Sequence, residues 1–103
     1  MGFRLTLRNL NKIGLSPFAK EVYKVVSGIP LGEVRSYKWV AKKIGHPKAY
    51  RAVGQALKNN PWPLLVPCHR VIESSGELGD YIFGKKNKKK ILDLERQIKD
   101  LVL

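Results

Sequence analysis

The chain is 103 residues long, with 20 Lys and Arg against 8 Asp and Glu, a formal charge of +12 and 44% hydrophobic residues. That length suits one small domain with a single core; no stretch nears the roughly 18 apolar residues of a membrane span, and the start lacks a signal peptide's apolar centre and cleavage site. The positive excess favours a polyanionic partner, nucleic acid first, and the lone cysteine excludes an internal disulfide or a CxxC metal knuckle and fits a reducing compartment, cytoplasmic or nuclear.

Residues 1–15 read as a leader, with Phe3, Leu5 and Leu7 alternating with Arg4, Thr6 and Arg8 as in a short strand or a basic arm. The domain proper is expected over 16–103. Ser16-Pro17 opens a helix, serine as N-cap and proline in the first turn, where no amide bond is lost. Phe18, Val22, Val25 and Val26 share one face of it, and Gly28 to Gly32 ends it. Val34 to Tyr37 is short and extended. Ser36 then caps a second helix, about Tyr37 to Ile44, whose inner face is Val40, Ala41 and Ile44. Gly45-His46-Pro47 makes a tight turn into a third helix, about Lys48 to Lys58. Two short helices joined in this way resemble a helix-turn-helix unit. The third helix is rich in small residues (Ala49, Ala52, Gly54, Ala56), so its backbone can approach a neighbouring helix or a narrow groove. Asn59 to Pro63, with two prolines, is irregular. Leu64 to Val66 leads into Pro67-Cys68-His69-Arg70-Val71. After a turn at Glu73 to Gly76 and a loop between Gly79 and Gly84, a last helix runs from about Lys88 to Leu101, with Ile91, Leu94, Ile98 and Leu101 as its apolar face.

Cys68 is either a nucleophile or a small buried apolar residue. A cysteine is mostly thiol at neutral pH and needs a base to act. His69 is adjacent, but neighbouring side chains of an extended stretch point opposite ways, so it acts across a water or on a bend. Glu95, between Ile91 and Ile98 at helical spacing, could reach back and orient the imidazole. Spacing alone leaves the inert alternative open, a buried thiol beside a hydrogen-bonded core histidine. No cluster of cysteines and histidines exists, and His46 stands alone in a turn, so neither metal nor cofactor is expected.

Taken together, these residues resemble the O6-alkylguanine-DNA alkyltransferases, self-inactivating proteins that repair alkylated DNA. Pro67-Cys68-His69-Arg70-Val71 is similar to their active-site signature. Gly32 to Tyr37 resembles the segment before the first DNA-contacting helix, and Arg51-Ala52-Val53-Gly54 the recognition helix. Asn60-Pro61, Ser74-Ser75-Gly76, Gly79-Asp80-Tyr81 and Glu95 follow in order, so the likeness covers about residues 16–97. It implies a mainly α fold: a small winged-helix-like helix-turn-helix domain with short strands and a C-terminal helix. It also implies single-turnover transfer of a methyl or other alkyl group from O6 of guanine to Cys68. His69 would draw the thiol proton through a water, Glu95 would orient His69, Tyr37 would donate to guanine N3, and Asn60 would brace the turn.

For DNA, the resemblance implies minor-groove binding by the third helix and a base flipped out of the duplex, with Arg51 entering the gap. Ser36, Tyr37, Ala52, Gly54 and Lys58 would line the DNA face, and Lys85, Lys86 and Lys88 would meet phosphates. Tyr81, Phe83, Gly84 and Val71 would form the pocket. Many members have Tyr-Ser-Gly-Gly where this chain has Tyr81-Ile82-Phe83-Gly84, and Phe83 is expected to narrow the pocket in favour of methyl adducts. Arg70 is expected to be structural. Most members carry a further N-terminal domain. The short length also matches alkyltransferase-like proteins, which bind O6-alkylguanine without transfer, recruit excision repair, and typically have tryptophan where Cys68 stands. Double-stranded DNA bearing O6-alkylguanine is thus the expected partner, of a monomer with no membrane contact.

Overall fold

In the computed structural model, residues 16–61, 66–79, 81 and 83–102 are described. The reading of residues 1–15 as a strand or basic arm lies outside them. The described chain is mostly helical: α1 (Pro17–Ser27), β1 (Arg35–Ser36), α2 (Tyr37–Lys43), α3 (Tyr50–Lys58), a 3-10 turn (Cys68–Arg70), β2 (Val71–Ile72) and α4 (Lys85–Val102). This is the expected architecture of helix-turn-helix, short strands and C-terminal helix.

Local chemistry sets the boundaries. Ser16 caps α1, its hydroxyl accepting from the Ala19 amide at 3.1 Å, with Pro17 next. Ser36 caps α2 in the same way, accepting from Trp39 at 2.9 Å. Gly45 supplies the left-handed residue, φ +84°, that turns α2 towards α3. The chain then takes another turn, Ala49 N–H to His46 O at 2.9 Å, so α3 starts at Tyr50 rather than Lys48.

The core lies between α1, α2 and α3. Val22, Val26, Val40, Ala41 and Val53 are fully buried there, and Leu57, Cys68 and Val71 close it from the other side. Tyr23 ties α1 to α3 by donating its hydroxyl to Ala56 O at 2.6 Å. β1 and β2 pair in parallel, Arg35 with Val71 and Ser36 with Ile72. That pairing sets Tyr37, the residue leaving β1, on the same side of the molecule as the Cys68 turn entering β2.

α4 corrects the sequence reading twice. It begins at Lys85 rather than about Lys88, so the lysine run forms its first turns. Most of its apolar stripe is also not its inner face: Ile91 is half-buried, but Leu94 and Leu101 are 55% and 85% exposed and Ile98 is 39% exposed. The inner face carries charges instead. Lys88 donates to Val71 O at 2.7 Å, Glu95 accepts from His69 and Arg70, and Lys99 reaches Glu33 at 3.4 Å. Positions 88, 95 and 99 share one helix face, and the Leu94/Ile98/Leu101 stripe lies about 100° round from it. Polar anchoring of this helix outweighs its apolar periodicity.

Candidate active site

The segment before the 3-10 turn is pinned from α3. Asn60, 3% exposed at the end of that helix, donates its side-chain amide to Val66 O at 3.1 Å. Tight backbone bonds then bend the chain, Cys68 N–H to Val66 O at 2.7 Å and Arg70 N–H to Pro67 O at 2.9 Å. The bend replaces the extended stretch expected at Cys68 and His69 with a 3-10 turn, Cys68–Arg70.

Cys68 is buried and free. Burial pushes its thiol up from the usual cysteine range, while a hydrogen bond from the Asn60 side chain and the charge of Lys88 pull it partly back. The resting group is therefore a thiol. His69 is 1% exposed, with Nε2 2.9 Å from Glu95 Oε2. An ionised carboxylate only accepts, so Nε2 carries the hydrogen and, in the neutral ring, Nδ1 holds the lone pair. Nδ1 is buried without a partner among the described residues. Burial holds the imidazole below the ordinary histidine range, against the pull of Glu95, so the ring is neutral at physiological pH.

Glu95 is held by more than His69. Arg70 grips it through both ends of its guanidinium, Nε to Oε1 at 2.9 Å and Nη2 to Oε2 at 2.7 Å, and donates Nη1 to Ile29 O at 2.8 Å. Burial alone would raise the Glu95 carboxyl, but the bonds from Arg70 and His69 outweigh it and hold the group below the usual carboxylate range. Sequence reasoning set Arg70 aside as structural; it is the positioning partner of Glu95, and its fork geometry suits that task.

Of these groups Cys68 lines a cavity of about 840 Å³, while His69, Glu95, Arg70 and Asn60 lie behind it. Tyr37, Arg51, Gly54, Lys58, Cys68 and Tyr81 line it, together with Ser74 and Gly79 of the loop motifs and with Lys38, Tyr50, Gln55, Leu57 and Glu73, to which the sequence reading gave no role. The Lys38 ammonium lies 5.3 Å from the Tyr50 ring centre, so a lysine–aromatic pair forms part of one wall. Tyr37 stands between the walls: its ring packs 3.8 Å from where a Cβ of Gly54 would be, and its hydroxyl 2.9 Å from that of Gly79. The Tyr81 hydroxyl is buried without a partner among the described residues, and burial raises it to about 12.

Several expected positions fall elsewhere. Val71 is a fully buried core residue whose carbonyl holds Lys88, so it does not line the cavity. Phe83 is 51% exposed and reaches the cavity only through Tyr81, against which its ring packs edge-on at 5.5 Å. The narrowing attributed to it is therefore absent. Gly84 serves the start of α4, its φ of +87° bridging Tyr81 O to the helix. Ser36 is the α2 cap, and Ala52 lies exposed on α3 beside the cavity rather than in it. Lys88 is corrected most sharply: it is 0% exposed, with its ammonium 5.8 Å from the Tyr37 ring centre, and presents nothing to a phosphate. Lys85 and Lys86 are exposed, as a phosphate contact requires.

Residues 17–97, from the first residue of α1 to two residues past Glu95, match the family model described as 6-O-methylguanine DNA methyltransferase, DNA binding domain. The chain belongs to that family. A methylated-DNA–protein-cysteine methyltransferase of Methanosarcina barkeri is 50% identical over 78 residues, 76% of this chain and 49% of the relative. The Mycobacterium tuberculosis OGT structure in complex with DNA is 46% identical with a TM-score of 0.79, over 81% of this chain and 52% of that one. The chain thus spans about half the length of those methyltransferases. Schizosaccharomyces pombe Atl1, solved with damaged DNA containing O6-carboxymethylguanine, is 38% identical with a TM-score of 0.70, over 79% of this chain and 77% of Atl1. Among the described residues no helix is long and apolar enough to cross a membrane.

Proposed function

We propose that this chain repairs alkylated DNA by moving one alkyl group from O6 of guanine to Cys68, once per molecule. The observation that carries this reading is the buried thiol at a basic cavity, with a neutral histidine whose ring hydrogen is committed to a clamped carboxylate. A structural thiol needs no such relay.

The step balances as one displacement. The Cys68 sulfur forms a bond to the alkyl carbon while that carbon's bond to O6 breaks. The thiol proton passes to His69 Nδ1 through a water, and a proton returns to the departing guanine, leaving a thioether and an unmodified base. Glu95, held by Arg70, keeps the hydrogen on Nε2 and so keeps Nδ1 basic. Tyr37 donates to guanine N3 as negative charge develops. The buried Lys88 ammonium beside the Tyr37 ring favours both the thiolate and that developing charge.

DNA is the substrate that the cationic wall fits. Lys38, Arg51 and Lys58 line the cavity that holds Cys68, and Lys85 and Lys86 lie exposed at the start of α4. A guanine inside a duplex cannot reach a buried thiol, so it is flipped out, and Arg51 takes its place in the stack. No cofactor enters the reaction.

A second reading has one observation in its favour: this chain covers most of Atl1 but only half of the methyltransferases. In it the chain binds O6-alkylguanine, leaves it in place and recruits excision repair. A lesion count separates the two. Duplex carrying O6-methylguanine is incubated with limiting protein and digested, and the surviving O6-methylguanine is quantified. Transfer removes one lesion per protein, and Cys68→Ser removes none. Tight lesion binding with every lesion surviving establishes the second reading.

A further inference from the structure

The two walls of the cavity differ in charge. Lys38 on α2 and Arg51 and Lys58 on α3 make one wall cationic. The opposite wall follows β2, and among the described residues Glu73 is the one acid that lines the cavity. An acid at a surface meant for phosphates opposes DNA binding. Nothing local neutralises it: among the described residues its carboxylate forms no ion pair, unlike Glu33, Asp93 and Glu95. The backbone of Glu73 is also fixed in place. Its amide donates to Glu77 O and its carbonyl accepts from Gly76 N–H, both at 2.9 Å, and β2 ends at the residue before it.

We infer that Glu73 selects among O6 adducts by charge, disfavouring anionic ones such as carboxymethyl relative to neutral ones of the same size. The inference rests on the cavity being the lesion pocket. An alkyl group placed for attack by Cys68 shares that cavity with Glu73, and a carboxylate at its far end feels a like charge from this solvent-exposed side chain. Between solvent-exposed charges such a repulsion is worth about twofold in rate or affinity. Cavity size cannot supply this discrimination, because the carboxylate and its amide are nearly isosteric.

The test compares three duplexes, carrying O6-methylguanine, O6-carboxymethylguanine and O6-carbamoylmethylguanine, the last being the neutral counterpart of the second. Single-turnover rates and equilibrium binding are measured for the full chain and for Glu73→Gln. The expected result is that Glu73→Gln raises the carboxymethyl-to-carbamoylmethyl ratio about twofold. An unchanged ratio overturns the inference, whatever happens to the methyl substrate. If the unaltered chain transfers nothing, the transferase reading fails separately, and the binding ratio still decides the role of Glu73. Circular dichroism of Glu73→Gln guards against misfolding, and Glu73→Asp, which keeps the charge, should retain the original ratio.

Discussion

His69 and Glu95 give the site an acid limit. The His69 ring is held below the unfolded value of 6.5 and the Glu95 carboxyl below 4.5. Both groups therefore bind fewer protons folded than unfolded. The stability they contribute is full above pH 6.5 and is lost as pH falls, first through histidine protonation and then through the carboxylate. The midpoint of urea unfolding should drop between pH 7 and pH 4, and transfer should fall over the same acid range as Nδ1 takes up a proton. Transfer that keeps its full rate well below pH 5 would remove His69 as the base. Gly79 makes a second residue-scale case. Its φ is +73°, and a Cβ there would lie 2.9 Å from the Tyr37 hydroxyl. Gly79→Ala should cost about 1–2 kcal/mol from backbone strain. It should slow transfer more than the stability loss explains, because Tyr37 must move. Chemical denaturation and single-turnover rates together read both effects.

At the scale of the element, α4 is held by charges, and substitutions can separate its two faces. Leu94→Lys on the exposed stripe should change stability by no more than about 0.5 kcal/mol. A loss of about 2–5 kcal/mol, the size of a core deletion, would show that the stripe is packed after all. Lys88→Met replaces a buried ammonium with an apolar chain of similar length. Stability should fall by about 1–3 kcal/mol, because the buried Val71 carbonyl loses its donor. Transfer should slow by about tenfold as the thiol pKa rises. Titration of the thiol with an alkylating reagent would check that shift directly.

These helices also mark how far the sequence could be read. Ser16-Pro17, Ser36 and Gly45 announced the ends of α1 and α2 because capping and left-handed turns depend on local chemistry alone. The Cys68, His69 and Glu95 set was legible through motif resemblance, with spacing only permitting it. The face of α4 was not legible, because apolar period and burial part company when a helix docks through Lys88, Glu95 and Lys99. Val71, Phe83 and Gly84 were misplaced in the pocket for a related reason: position in a loop says little about which wall a side chain joins. The grip of Arg70 on Glu95 depends on a contact between residues 25 apart, which no local pattern carries.

For the whole molecule, the question is whether a chain about half the length of its methyltransferase relatives can complete the reaction. The described residues contain a thiol, a neutral imidazole, its carboxylate and the arginine that clamps it, a phenol and a cationic wall; hydrogen bonds of 3.1 Å or less tie Asn60, His69, Arg70, Glu95 and Lys88 together around the Cys68 turn. Intact-protein mass spectrometry after incubation with a duplex carrying one O6-methylguanine tests this most directly. The account predicts that each molecule gains one methyl group in place of a hydrogen, on the peptide containing Cys68, and that Cys68→Ala gains none. Unmodified protein bound tightly to an intact lesion would contradict it.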